Sequence, residues 1–123
     1  MRNPAKLLTT AASVIALFGT ISVMPVTASA DEASVIEQGK QIAFNRKKGN
    51  CLACHQIEGG KLAGNIGPPL VAMKARFPDK AKLRAQIYDP RKNNPNTIMP
   101  PFGPHHILTD DEIDKVTEFV YSL

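Results

Sequence analysis

The chain has 123 residues, a formal charge of +4 and only 2 cysteines. That length holds one domain at most, and two thiols exclude both a disulfide-dense scaffold and a four-thiolate zinc site. The 15 Lys and Arg, less Arg2 and Lys6 in the leader described next, leave 13 against 11 acidic residues, a balance that gives no case for a nucleic-acid or membrane-surface partner.

The chain opens with a positive stretch, Arg2 and Lys6, followed by an apolar run from Leu7 to about Val26. Ala28-Ser29-Ala30 then presents small residues around a cleavage point. This is the pattern of a secretory signal peptide, residues 1–30, cleaved after Ala30. The rival reading is an uncleaved membrane anchor, but Gly19, Thr20, Ser22 and Pro25 interrupt the run. The mature domain is then residues 31–123, with no membrane span.

Ser34 and Glu37 have the spacing of a capping box and predict a helix over 34–47. Ile36, Gly39 and Ala43 share one face of it, and Gly39 suits close approach of a second helix. Arg46-Lys47-Lys48 would face the negative end of the helix dipole, with Gly49 as terminator.

Next comes Cys51-Leu52-Ala53-Cys54-His55, a Cys-x-x-Cys-His pentapeptide of the kind that attaches a c-type haem. Two thiols one helical turn apart can each form a thioether to a vinyl group of the porphyrin. The adjacent imidazole can reach the iron as proximal ligand. The rivals are a redox dithiol, which calls for a strand–helix–strand pattern not seen here, and half of a zinc site, which lacks its remaining ligands. Attachment of c-type haem follows export across the bacterial inner membrane, so the motif and the leader both place the protein in the periplasm.

Beyond His55 the chain reads as irregular, punctuated by Gly59, Gly60 and Gly64. In Gly67-Pro68-Pro69-Leu70 the two prolines donate no N–H, but their carbonyls are free to accept the Nδ1–H of His55 and so orient it. A helical turn is predicted over 71–76. A helix follows over 80–88, capped by Asp79, carrying Leu83 and Ile87 at i, i+4, and stopped by Pro90. Residues 89–106 form a long loop with five prolines, read as functional because it carries Met99. Thr109 and Glu112 form a second capping box, Leu108 and Ile113 a hydrophobic staple, and the last helix is predicted over 110–122. Its apolar stripe is Ile113, Val116, Phe119, Val120 and Leu123. The first and last helices are expected to pack on each other, with Gly39 under Phe119 or Tyr121.

For the second axial position the candidates are Met73, Met99, His105 and His106. The Pro100-Pro101 pair after Met99 stiffens its loop and holds it out of a helix, which favours Met99. Met73 reads as core packing, and the adjacent histidines as surface residues. A His55/Met99 pair raises the reduction potential and fills both axial positions, which favours electron transfer over chemistry at the iron. The fold class is all-α, three to four helices and long loops around one covalent haem.

The order Cys-x-x-Cys-His, Gly-Pro-Pro-Leu, methionine loop and C-terminal helix resembles class I cytochrome c. Residues 49–55, 64–70 and Met73-Lys74-Ala75-Arg76-Phe77-Pro78-Asp79, with Ile98-Met99-Pro100-Pro101-Phe102-Gly103 and 107–121, are similar to the X subunit of the Sox sulfur-oxidation cytochrome. The resemblance implies haem c bound by Cys51, Cys54, His55 and Met99. It implies a periplasmic heterodimer with a larger haem-bearing A subunit that holds the catalytic centre and couples thiosulfate to a cysteine of a carrier protein. The X-type chain would pass electrons to a small acceptor cytochrome. The alternatives are a free-standing electron-carrier cytochrome and a haem-based sensor, for whose output domain 93 residues leave no room. Phe77, Pro101 and Phe102 are candidates for an apolar docking rim.

Overall fold

The computed structural model describes residues 28–123. Four helices follow in chain order: α1, Ala28–Phe44; α2, Met73–Arg76; α3, Lys80–Tyr88; and α4, Asp110–Tyr121. Single turns of 3-10 helix occupy Cys51–Ala53 and Pro90–Lys92. Among the described residues there is no strand, so the all-α expectation holds.

The packing frame is α1 against α4. Gly39 makes it possible: a Cβ at this position would overlap the Lys115 backbone carbonyl and lie 2.9 Å from Phe119 Cβ. One turn further on, the Phe44 and Phe119 rings meet edge to face, with centroids 5.8 Å apart. Gly39 therefore sits against Phe119, as its place on the apolar face predicts. The α3 helix lies on α4 through Leu83 and Ile87, both buried, and is fastened at its rim by Arg84 to Asp110 and Asp114 and by Lys80 to Glu118. Such exposed pairs fix register more than they add stability.

Sequence and structure agree at the caps of α3 and α4. Asp79 accepts the Ala81 N–H at 2.9 Å. Thr109 and Glu112 exchange both capping-box bonds, and Leu108 and Ile113 are both in the core. The ion pair between Lys48 and Glu112 ties the turn after α1 to the start of α4.

Three expectations are corrected. The first helix does not begin at Ser34 but runs from Ala28. Ala28 to Ala33 contains no Gly, Pro or β-branched residue to stop it, and good helix formers extend a helix wherever nothing breaks it. Ser34 accepts instead from the Gln38 side chain at 3.2 Å. The same helix ends at Phe44 rather than Lys47, so Arg46, Lys47 and Lys48 lie in the following turn. There the Gly49 N–H satisfies the Ile42 carbonyl at 3.2 Å, but Gly49 stands five residues beyond the helix end and is not the residue that terminates it. The third correction is the short α2 turn, which starts at Met73, two residues later than predicted, because Ala72 takes a left-handed φ of 51°. The predicted cleavage point after Ala30 lies within α1, and residues 1–27 of the predicted leader lie outside the described residues.

Candidate haem site

The Cys-x-x-Cys-His stretch is a compact corner. Asn50, at a left-handed φ of 47°, turns the chain into the 3-10 turn. The His55 N–H then donates to the Cys51 carbonyl at 2.9 Å. Both thiols and the imidazole are thereby drawn together, and all three line a single cavity.

Residues 64–70 double back along this corner as a strap. Gly64, Gly67 and Leu70 donate their N–H groups to the carbonyls of Leu52, Cys54 and Gln56 at 2.7, 2.8 and 2.9 Å. Between the last two anchors the prolines present carbonyls only, and the Pro68 carbonyl lies 2.7 Å from His55 Nδ1. With the proton on Nδ1, that carbonyl accepts it and Nε2 carries a free lone pair toward the cavity. Proton placement follows from the partner, since a carbonyl can only accept. Gly67 is required by the same contact: a Cβ there would lie 2.5 Å from His55 Cε1 and 2.7 Å from Nδ1. Sequence reasoning takes this motif for its proline carbonyls and misses the demand on Gly67. The available signal is a Gly directly before two prolines whose carbonyls are to meet a ring.

The cavity has a volume of about 610 Å3, within the usual range for cofactor sites. Its floor is apolar, formed by Leu70, Met73, Leu83, Ile87, Val116 and Val120 from α2, α3, α4 and the strap. Met99 lines it from the long loop and is half-buried. The loop is held in place there. The Thr97 hydroxyl accepts the Met99 N–H at 3.2 Å, the Gly103 N–H reaches the Tyr88 carbonyl at 3.1 Å, and Phe102 is buried at 5% exposure. Asp89, whose carboxyl is held below its usual range by its hydrogen bonds with Arg91, closes the start of the loop.

The four candidates for a second axial donor separate. His105 and His106 do not line the cavity. Met73 does line it, but it is 2% exposed in the core and its sulfur accepts from the Arg76 guanidinium at 3.4 Å. Met99 lines the cavity on a loop with no such engagement of its sulfur. The suggested apolar rim is corrected: Pro101 and Phe102 are buried and Phe77 half-buried. The exposed apolar residues at the cavity are Ile66, Ile98 and Ile107, at 66%, 73% and 38%.

The rival chemistries for the two thiols fare worse in three dimensions. Burial pushes the Cys51 thiol up to about 11, with the neighbouring Cys54 adding to it, whereas a redox or metal-binding thiol needs a lowered pKa. Among the described residues no three His, Cys, Asp or Glu side chains are grouped to hold a metal ion. A half-buried, protonated thiol lining a large apolar cavity fits a residue that becomes a thioether. The donor set and the cavity together fit a haem.

Comparison with known proteins gives the same answer. The cytochrome c family model matches residues 36–123. The crystal structure of SoxXA from P. pantotrophus superposes with a TM-score of 0.63 at 28% identity, covering 70% of this chain and 79% of that chain. An uncharacterized lipoprotein of Aquifex aeolicus (strain VF5) is 37% identical over 76 residues, which is 61% of this chain and 37% of that protein. The chain thus spans little more than a third of that relative. Among the described residues no helix is long and apolar enough to cross a membrane. With the family match reaching from the middle of α1 to the last residue, the chain belongs to the cytochrome c family, as a class I cytochrome similar to SoxX that carries a covalently bound haem c.

Proposed function

We propose that this cytochrome is the electron-relay subunit of a thiosulfate-oxidising complex, with His55 and Met99 as its two axial ligands. The observation that carries the reading is the placement of His55, oriented by Pro68, and Met99, on its stiffened loop, on one cavity. Haem c, when bound, supplies one-electron transfer between its ferrous and ferric states. Cys51 and Cys54 hold the ring edge, and once both are thioethers the chain has no thiol left to serve as a nucleophile. His55 is held in the Nδ1–H tautomer by Pro68, which leaves the other nitrogen's lone pair free to bind the iron. Met99 and the apolar floor exclude water, which favours the less charged ferrous state.

The catalytic centre is then assigned to a larger haem-bearing A subunit, and the neighbouring SoxXA structure supports a partner of this kind. Electrons would pass from thiosulfate coupling on a carrier protein, through this chain, to a small cytochrome. Ile66, Ile98 and Ile107 support an apolar docking face at the cavity mouth, with Arg46 and Lys47 beside it. Lys48 is already paired with Glu112. The leader and the lipoprotein relative support export, with cleavage after Ala30 and a periplasmic location. Mass measurement of the exported protein checks the cleavage site.

The test of the relay role is thiosulfate-dependent cytochrome reduction with the A subunit alone, this chain alone, and the two together. Activity should require both. Full activity without this chain, or from this chain by itself, refutes the role.

A further inference from the structure

The strap that orients His55 has a weak stretch. Pro68 and Pro69 donate no backbone hydrogen bond, so between the anchors at Gly67 and Leu70 it has no N–H with which to hold itself in place. One side chain fills the gap. Arg76, at the end of α2, donates from Nη1 to the Pro69 carbonyl at 2.8 Å and from the same nitrogen to Met73 Sδ at 3.4 Å. Met73 is itself fixed, buried in the core with its N–H on the Leu123 carbonyl at 3.2 Å. Among the described residues no side-chain carboxylate lies within salt-bridge distance of Arg76.

A continuous path of contacts results: the C-terminal end of the chain after α4, Met73, Arg76, Pro69, Pro68 and the His55 ring. We propose that Arg76 is a positioning residue for His55, clamping the Pro68-Pro69 strap onto α2 so that the Pro68 carbonyl stays on Nδ1. Both contacts come from the one nitrogen Nη1, which the rigid guanidinium plane holds in place between two segments; a lysine ammonium ends one bond short of Nη1 and has no plane to fix its direction. Arg76 also lines the cavity, so a purely electrostatic effect on the cofactor is the competing role.

This role presupposes that His55 is the axial ligand, and the experiment separates the two. In the reduced holoprotein, NMR follows the exchange of the His55 Nδ1 proton in wild type, Arg76→Ala and Arg76→Lys, with the slow amides of α4 as internal reference. Ring-current displacement of the other His55 protons reports ligation independently of Arg76, and its absence sinks the ligand reading. With it present, Arg76→Ala should accelerate Nδ1–H exchange by about tenfold, the scale of one hydrogen bond, while α4 amides change by less than about threefold. Arg76→Lys, which keeps the charge but places its nitrogen one bond short of Nη1, should still exchange faster than wild type and show a raised midpoint potential as the imidazole loses its partner. The positioning role is overturned if Nδ1–H exchange in Arg76→Ala matches wild type, or if it rises only in step with the α4 amides. It is equally overturned if the potential moves in Arg76→Ala while Arg76→Lys behaves as wild type, the signature of charge alone.

Discussion

Met99 and Gly67 make opposite demands at the residue scale, one of chemistry and one of space. Replacing Met99 by Ala removes the proposed sulfur ligand without disturbing the core, since the residue is half-buried on a loop. The reduction potential should fall by on the order of 0.1 V, a fraction of the roughly 0.8 V that axial ligands control, and the sulfur-to-iron absorption band should vanish. Spectroelectrochemistry reads both, and an unchanged spectrum would move the ligand to Met73. Replacing Gly67 by Ala puts a methyl 2.5 Å from the His55 ring. Ring or strap must shift, with a cost of about 1–3 kcal/mol for overpacking, visible in urea denaturation of the holoprotein. Met99 is legible in the sequence because prolines advertise a stiff loop. Gly67 is less so, because a glycine required by space leaves no periodic or chemical mark until its neighbour is known. Arg76 reads as an ordinary helix-end cation, and only the fold brings its guanidinium to Pro69.

The elements themselves divide by the kind of signal that encodes them. Caps are local and legible: Asp79 and Thr109 both accept the bonds that their sequence context predicts. Thr109→Ala should cost about 1 kcal/mol in chemical denaturation. The start of α1 is misleading because Ser34 and Glu37 have capping-box spacing, yet the residues before them also favour helix, and a cap forms only where a helix must start. Glu112 joins two elements, and its titration should show it. The Lys48 hydrogen bond, then the Thr109 backbone N–H, hold its carboxyl below the usual 4.5. A carboxyl lowered in the folded state adds stability above its unfolded value and loses it as pH falls through the folded one. The stability gap between wild type and Glu112→Gln should therefore be constant at neutral pH and close on acidification below about 4.5. A gap that persists in strong acid would assign the effect to packing instead. Gly39→Ala should be strongly destabilising, because the obstacle is the Lys115 backbone and cannot rotate away. A loss of about 3 kcal/mol or more is expected.

For the molecule as a whole, the cavity outweighs every other feature. A space of about 610 Å3 bounded by α2, α3, α4, the strap and the methionine loop is large for a domain of this size, whose own core is thin. Chain expressed without haem, or with Cys51 and Cys54 both replaced by Ala, should retain helical far-UV dichroism at most in part and lack fixed tertiary signals, which near-UV dichroism would report. The all-α class and the positions of α3 and α4 are readable from capping and periodicity, whereas α1 is readable as an element but not in its bounds. The docking rim is not, since exposure is a property of the assembled surface: Pro101 and Phe102 turn inward while Ile66 and Ile98 turn out.

The pairing of α1 with α4 also has a consequence in time. These two helices stand at opposite ends of the described chain, and the Gly39–Lys115 crossing joins residues 76 positions apart, from 39 to 115. A contact of such long sequence separation is slow to form and carries the full entropy of loop closure. The crossing also has to wait until α4 has been synthesised. Throughout that interval Cys51 and Cys54 lie in the open span between the two helices, on chain that has not yet closed. The topology thus leaves the attachment thiols on unclosed chain until the last helix arrives and brings Val116 and Val120 to the floor of the cavity that those thiols line.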